Sequence, residues 1–176
     1  MATWIFEPGH TEAEFRARHT MVTWVRGLFK DIHGQLELDS DRWLEATFEG
    51  EIDATGIWTG QLERDEHLRS ADFFDVENHP TMTFTSTGVR QVDGALLLEG
   101  DLTIRGVTKP VTFELEASGF GPDAYGGTRC GFSAQTSINR MDYGVAFNGP
   151  IPGVPGGVAV SENVNITLEI EGVLQS

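Results

Sequence analysis

A chain of 176 residues with 39% hydrophobic residues, 11 Phe and 4 Trp is long enough to enclose one core, and ordinary domain size predicts a single domain over residues 1–176. Its 27 acidic residues against 12 basic ones leave a formal charge of −15. That argues against the basic footprint of a nucleic-acid binder and against steady docking on anionic membranes, although screening over roughly 8 Å weakens the second point at a distance.

Glu12 to His19 alternates strictly, with Ala13, Phe15, Ala17 and His19 on one face and charged residues on the other, as a half-buried strand does. Thr20 to Val25 loses the alternation and reads as a helical turn before Gly27, its aromatic Trp24 offered to a core or pocket. Period two returns from Leu28 to Leu38 and from Leu44 to Asp53, so these runs form a hairpin about Asp39-Ser40-Asp41. Thr59 to Ser86 changes character. Gln61, Leu62, Asp65, Leu68 and Arg69 carry helical spacing, with Leu62 and Leu68 as apolar anchors. Asp72 caps a second short turn that directs Phe73 and Phe74 toward something apolar, and Asn78-His79-Pro80 ends the helical stretch.

Strands follow over Thr81–Thr87, Ala95–Arg105, Val111–Ala117, Cys130–Ile138 and Val164–Leu174, each with one apolar face. Between the last two, Gly144 to Gly157 is rich in Gly and Pro and reads either as an apolar flap over an opening or as a plain surface connection. The fold class expected is all-β: an antiparallel, eight-stranded, lipocalin-like barrel with one short helical segment, about residues 60–75, at its side or mouth.

Several long motifs in this order resemble the YceI-like family of lipocalin-like polyisoprenoid-binding proteins. The resemblance spans Trp4 to Val173 and is carried by Glu14 to His19, Gly27-Leu28-Phe29, Arg64 to Ser70, Asp72 to Asp75, His79 to Ser86, Gly100 to Val111 and Ile138 to Gly144. It implies an apolar tunnel for an isoprenoid chain, with an isoprenoid lipid or quinone as the bound partner and no covalent cofactor. Gly56-Ile57-Trp58-Thr59 stands where relatives often carry Ser-Ile-Asp-Thr, which places an indole near the rim in place of a carboxylate.

The candidate ligand-binding residues are Phe15, Ala17, His19, Trp24, Phe29, Phe73, Phe84, Phe132 and Phe147. Without the resemblance, the same inward rings are better read as a dry core, and it is the resemblance that turns the choice to a lipid tunnel. No metal ligand set is expected, since His10, His19, His33, His67 and His79 lack metal-site spacing. No catalytic motif is present, and Cys130 on an inward face reads as a small hydrophobe. Arg64, Asp65 and Asp72 are expected to form a buried ion pair that pins the helix, and Arg140 with Asp142 a clasp at the entry to the Gly/Pro loop.

The function expected is carriage or sequestration of a long apolar lipid. The alternatives are an enzyme on a hydrophobic substrate, with His19 or Asp65 as acid or base, and a broad scavenger of lipophiles in stress. Stable membrane insertion is not expected, and a homodimer is left open. With one cysteine, no apolar run of about 18 residues and no basic-then-apolar leader, the expected compartment is cytoplasmic, or periplasmic or secreted if a leader has been removed.

Overall fold

Alternating apolar positions, broken by turns, divide the chain into ten strands and one α-helix in a computed structural model that describes residues 1–155 and 157–176. The strands are β1 (Thr3–Phe6), β2 (Glu12–His19), β3 (Thr23–Phe29), β4 (Ile32–Glu37), β5 (Thr47–Asp53), β6 (Thr81–Val92), β7 (Ala95–Ile104), β8 (Val107–Pro122), β9 (Thr128–Asn139) and β10 (Asn163–Leu174), with α1 at Leu62–Arg69. The strand pairings are antiparallel, and β1-β4-β5-β6-β7-β8-β9-β10 closes into an eight-stranded barrel through β1 and β10. Closure removes exposed sheet edges from the ring.

The β2–β3 hairpin is additional to the ring. Strand β10 pairs with β1 through Gly172–Leu174 and with β2 through Asn165–Glu169, so β2 extends the line of β1 past the barrel wall. On the other side β3 does not reach β5. Into that gap comes the segment before the helix, where Leu28 and Trp58 exchange backbone hydrogen bonds of 2.8 and 3.0 Å.

Three stretches depart from the sequence reading. Four-residue β1 is too short to show a period. Thr20 to Val25 is not helical, because Thr20 and Met21 both take positive φ in a tight turn and alternation restarts at Thr23 as β3. Nor is Leu28 to Leu38 one strand. A break at Lys30-Asp31 shifts the phase, so Phe29 and Ile32 are both buried, whereas Leu28 takes the opposite face.

Helix α1 has eight residues and no apolar stripe, and a helix that short is marginal by itself. Leu62 is not an anchor but is 81% exposed, and only Leu68 packs against the core. Polar clamps replace the expected ion pair of Arg64, Asp65 and Asp72. Buried Asp65 accepts from the backbone N–H of Thr59 at 2.9 Å and from its hydroxyl. Arg64 donates to the Thr59 hydroxyl and carbonyl at 2.8 and 2.9 Å, and Arg69 to the carbonyls of Thr55 and Ile57 at 2.8 and 3.0 Å. Asp72 turns away to His67 Nε2 at 2.8 Å. Asp65→Ala therefore leaves the Thr59 N–H without its acceptor, with an expected loss of about 1–3 kcal/mol in urea unfolding. A midpoint unchanged from wild type would mean that Asp65 does not hold the helix.

Candidate functional site

One end of the barrel is solid. Leu36, Leu38, Ala46, Leu115 and Cys130 are buried there, and aromatic rings stack across it: Trp4 on Phe120 at 5.5 Å, Trp43 on Phe132 at 6.4 Å and Phe48 on Phe132 at 5.2 Å. Burial of the thiol pushes the Cys130 pKa up to about 11, so little thiolate forms near neutrality. Native protein is thus expected to resist alkylation by iodoacetamide at Cys130, and unfolded protein to react; mass-spectrometric labelling of the folded chain at the unfolded rate would contradict this.

Beyond that packed end the barrel is hollow. A cavity of about 190 Å³ runs from Phe48 and Phe132 toward α1, with walls from Phe6, Ile52, Met82, Leu102, Ala134 and Ile166 among others. Its openness comes from close approach of rings to backbone. Phe15 lies over Gly27, its cross-strand partner, so closely that a Cβ there would meet the ring at 2.2 Å; Phe84 covers Gly100 and Phe6 covers Gly34 in the same way. Each ring is drawn flat against the wall, and the middle stays clear.

The other end is capped by the turn after α1. Phe74 fills the gap between hairpin and barrel, with ring centroids 5.7 Å from Phe29 and 6.5 Å from Phe15. Arg105 holds this turn by donating to the carbonyls of Ala71 and Phe73 at 2.6 and 2.5 Å. Phe73 is buried, and His67 and Phe147 pack on it at 5.0 and 5.3 Å.

Arg140 and Tyr143, both buried, stand in this end of the wall, where the surface they show the cavity is almost entirely carbon. Arg140 is a clasp, as expected, but not with Asp142. It donates to the carbonyls of Ser161 at 2.9 Å, Val145 at 2.6 Å, Phe147 at 2.8 Å and Val160 at 3.3 Å, tying both ends of the Gly/Pro loop together. Desolvation draws its pKa below the ordinary arginine value, with Glu162 opposing. Among the described residues no carboxylate lies within ion-pair distance of it. Within the loop expected as a flap, Val145 is buried on the cavity wall and Val154 is exposed; Gly156 lies outside the described residues.

Of the residues picked from sequence, Phe15, Ala17, Phe29, Phe73, Phe84 and Phe132 border this one cavity. Three do not. His19 keeps the phase of Phe15 and Ala17 but lies beyond the start of β10, where the inner face of the hairpin meets solvent, and it is exposed. Trp24 is outside because β3 alternates and Val25, Gly27 and Phe29 take the inner face. Phe147 is 40% exposed and sits one layer out, on Phe73 and His67. Neither His19 nor Asp65 borders the cavity, so the acid or base imagined for an enzyme is not at the site. Sequence reasoning missed Phe6 on unread β1 and Tyr143, and it turned Phe74 toward something apolar without counting it among the binding residues.

A closed antiparallel barrel, packed at one end and hollow at the other, defines the lipocalin-like class of single-cavity barrels. Within that class the chain belongs to the YceI-like family, whose domain matches residues 4–172. Protein YceI of Escherichia coli is 38% identical over 170 residues, covering 96% of this chain and 84% of that protein. The crystal structure of Burkholderia cenocepacia BcnA superposes with a TM-score of 0.80 at 20% identity, covering 94% of this chain and 98% of the other. A polyisoprenoid binding domain from Saccharophagus degradans, implicated in plant cell wall breakdown, matches with a TM-score of 0.70 at 14% identity, covering 99% of both chains.

Proposed function

We propose that the protein binds a long apolar lipid of isoprenoid type, a quinone or polyprenyl derivative, and carries or sequesters it without chemical change. The observation that carries this reading is the cavity itself, sizeable and almost wholly carbon-lined inside an otherwise close-packed barrel. Water gains little there, since each buried molecule needs two to four polar partners. The polyisoprenoid-binding description of the Saccharophagus degradans neighbour supports the same choice of ligand.

Magnitudes set the length of tail. An apolar cavity of about 150 Å³ holds a benzene ring, so this one takes on the order of eight carbons. Burying them at roughly 0.8 kcal/mol each yields about 6 kcal/mol, against an association cost of about 4–15 kcal/mol. One to two isoprene units, at five carbons each, are thus the part of the tail that the cavity holds, and contacts of the remainder with the protein supply the rest of the affinity. Native mass spectrometry and solvent extraction of freshly purified protein are expected to show one isoprenoid per chain. A mixture of unrelated lipophiles would favour scavenging, and failure to bind any added prenyl lipid would overturn the proposal.

A further inference from the structure

The acidity of this protein is unevenly spread. No Asp or Glu stands between Glu14 and Asp31, and that span holds Arg16, Arg18, Arg26 and Lys30. On the outer face of the β2–β3 hairpin, register sets Arg16 opposite Arg26 and Arg18 opposite Trp24. The Arg18 and Arg16 guanidinium groups lie 4.4 and 5.2 Å from the Trp24 ring centroid. Among the described residues Arg18 and Arg26 have no carboxylate within ion-pair distance, Arg16 reaches Glu14 only at 4.0 Å, and its neighbour on β10 is neutral Asn165. Like charges directly opposite one another across two strands are destabilising. The cluster is therefore held short of anions.

The hairpin tip is unusual for a second reason. The Val22 N–H donates to the His19 carbonyl at 3.1 Å, with Thr20 at φ 48° and Met21 at φ 61° between them. Two-residue turns of this shape favour Asn-Gly, because positive φ strains a side chain and a β-branched one most. Here the strained turn lifts apolar side chains into water: Met21 is 56% exposed, Val22 73% and Trp24 42%. Trp58, 59% exposed, stands beside β3 through its bridge to Leu28. The turn is pinned from within, since the Thr20 N–H donates to the Ala159 carbonyl at 2.9 Å; what points to a contact outside the chain is the apolar tip that this pinned turn leaves in water.

We propose that the β2–β3 hairpin is a docking finger for an anionic lipid surface. Met21 and Val22 enter the acyl boundary, Trp24 sits at head-group depth, and Arg16, Arg18 and Arg26 meet lipid phosphates. An acidic protein surface would match the arginines but not the apolar tip, which is why the bilayer is the partner. The inner face of the same hairpin supplies Phe15 and Ala17 to the cavity, so docking brings the end of the cavity capped by Phe73 and Phe74 to the membrane. The net charge does not forbid this, since at physiological salt the surface feels charges within roughly 8 Å.

The test uses the full chain sedimented with phosphatidylcholine vesicles, with and without phosphatidylglycerol. Binding is expected only to the anionic vesicles and is expected to fall at high salt. R16Q/R18Q/R26Q should weaken it on the order of a hundredfold, at about fivefold per charge. M21S/V22S should weaken it as well, while R90Q, on β6 away from the hairpin, should not. Circular dichroism and native mass spectrometry should show fold and bound lipid unchanged in all three variants. Equal sedimentation with both vesicle types, or vesicle binding indifferent to both hairpin variants, overturns the proposal. So does a hairpin variant that alters self-association in ultracentrifugation but not vesicle binding, which would make the finger an interface between copies. Docking by a protein that takes up no prenyl lipid would sink the carrier reading and leave this one standing.

Discussion

Ala134→Phe is expected to empty the barrel of its lipid while leaving it folded. Ala134 is buried on β9, opposite Leu168 of β10, and its methyl group faces the cavity. A benzyl group there adds six carbons to space the ligand would use. At roughly 0.8 kcal/mol per displaced methylene, about 5 kcal/mol of binding is lost, on the order of a thousandfold or more in Kd. Overpacking a well-filled core costs about 1–3 kcal/mol, but here the ring enters a void and the cost is expected at or below the low end. Titration with a prenyl quinone, alongside urea unfolding, separates the two effects. Retained affinity with retained stability would mean that the lipid does not occupy the cavity, and Ala17→Phe, on the hairpin side of the same wall, repeats the test at a second position.

Arg140→Met is expected to act on the fold before it acts on any ligand. Methionine approximates the aliphatic stem but leaves the carbonyls of Val145, Phe147, Val160 and Ser161 without the donor that gathers them. Hydrogen bonds from a charged donor contribute about 1.5–3 kcal/mol each, and part of the loss is recovered as the loop opens to water. A net cost of about 3–5 kcal/mol follows, or about 6–20 °C in Tm for a chain of this length. Limited proteolysis should cut first between Gly144 and Ser161. Arg140→Lys is expected to rescue little, because one ammonium cannot reproduce the planar fork that spans four acceptors. Wild-type Tm and protease resistance in Arg140→Met would show that the loop is held by other means.

The parts of the fold that were legible in the sequence are the ones with long, one-sided strands. On β7 and β10, period two persists for ten or more residues, and Leu98, Leu102, Ile166 and Leu168 face inward as alternation requires. Alternation says which face a residue takes but not how far along the barrel it stands. His19 therefore shares the phase of Phe15 yet projects past the wall. Trp24 was misplaced for a different reason: the Thr20-Met21 turn lacks the Asn-Gly that marks such turns, so a hairpin looked like a helical turn. Whether the barrel was full or hollow could not be read at all from inward phenylalanines. That depends on what each ring meets across the sheet, and the pairing of Phe15 with Gly27 or of Phe84 beside Gly100 exists only once register is set.

The aromatic packing of Trp4, Trp43, Phe120 and Phe132 gives the tube a floor. A guest in a vessel with one doorway enters tail foremost and leaves by backing out, so two guests cannot exchange by one pushing the other through. For the lipid proposed above, residence time is then expected to follow how often the packed His67, Phe73 and Phe147 rings part, and lengthening a tail that already touches bottom is expected to leave surplus units outside without slowing escape.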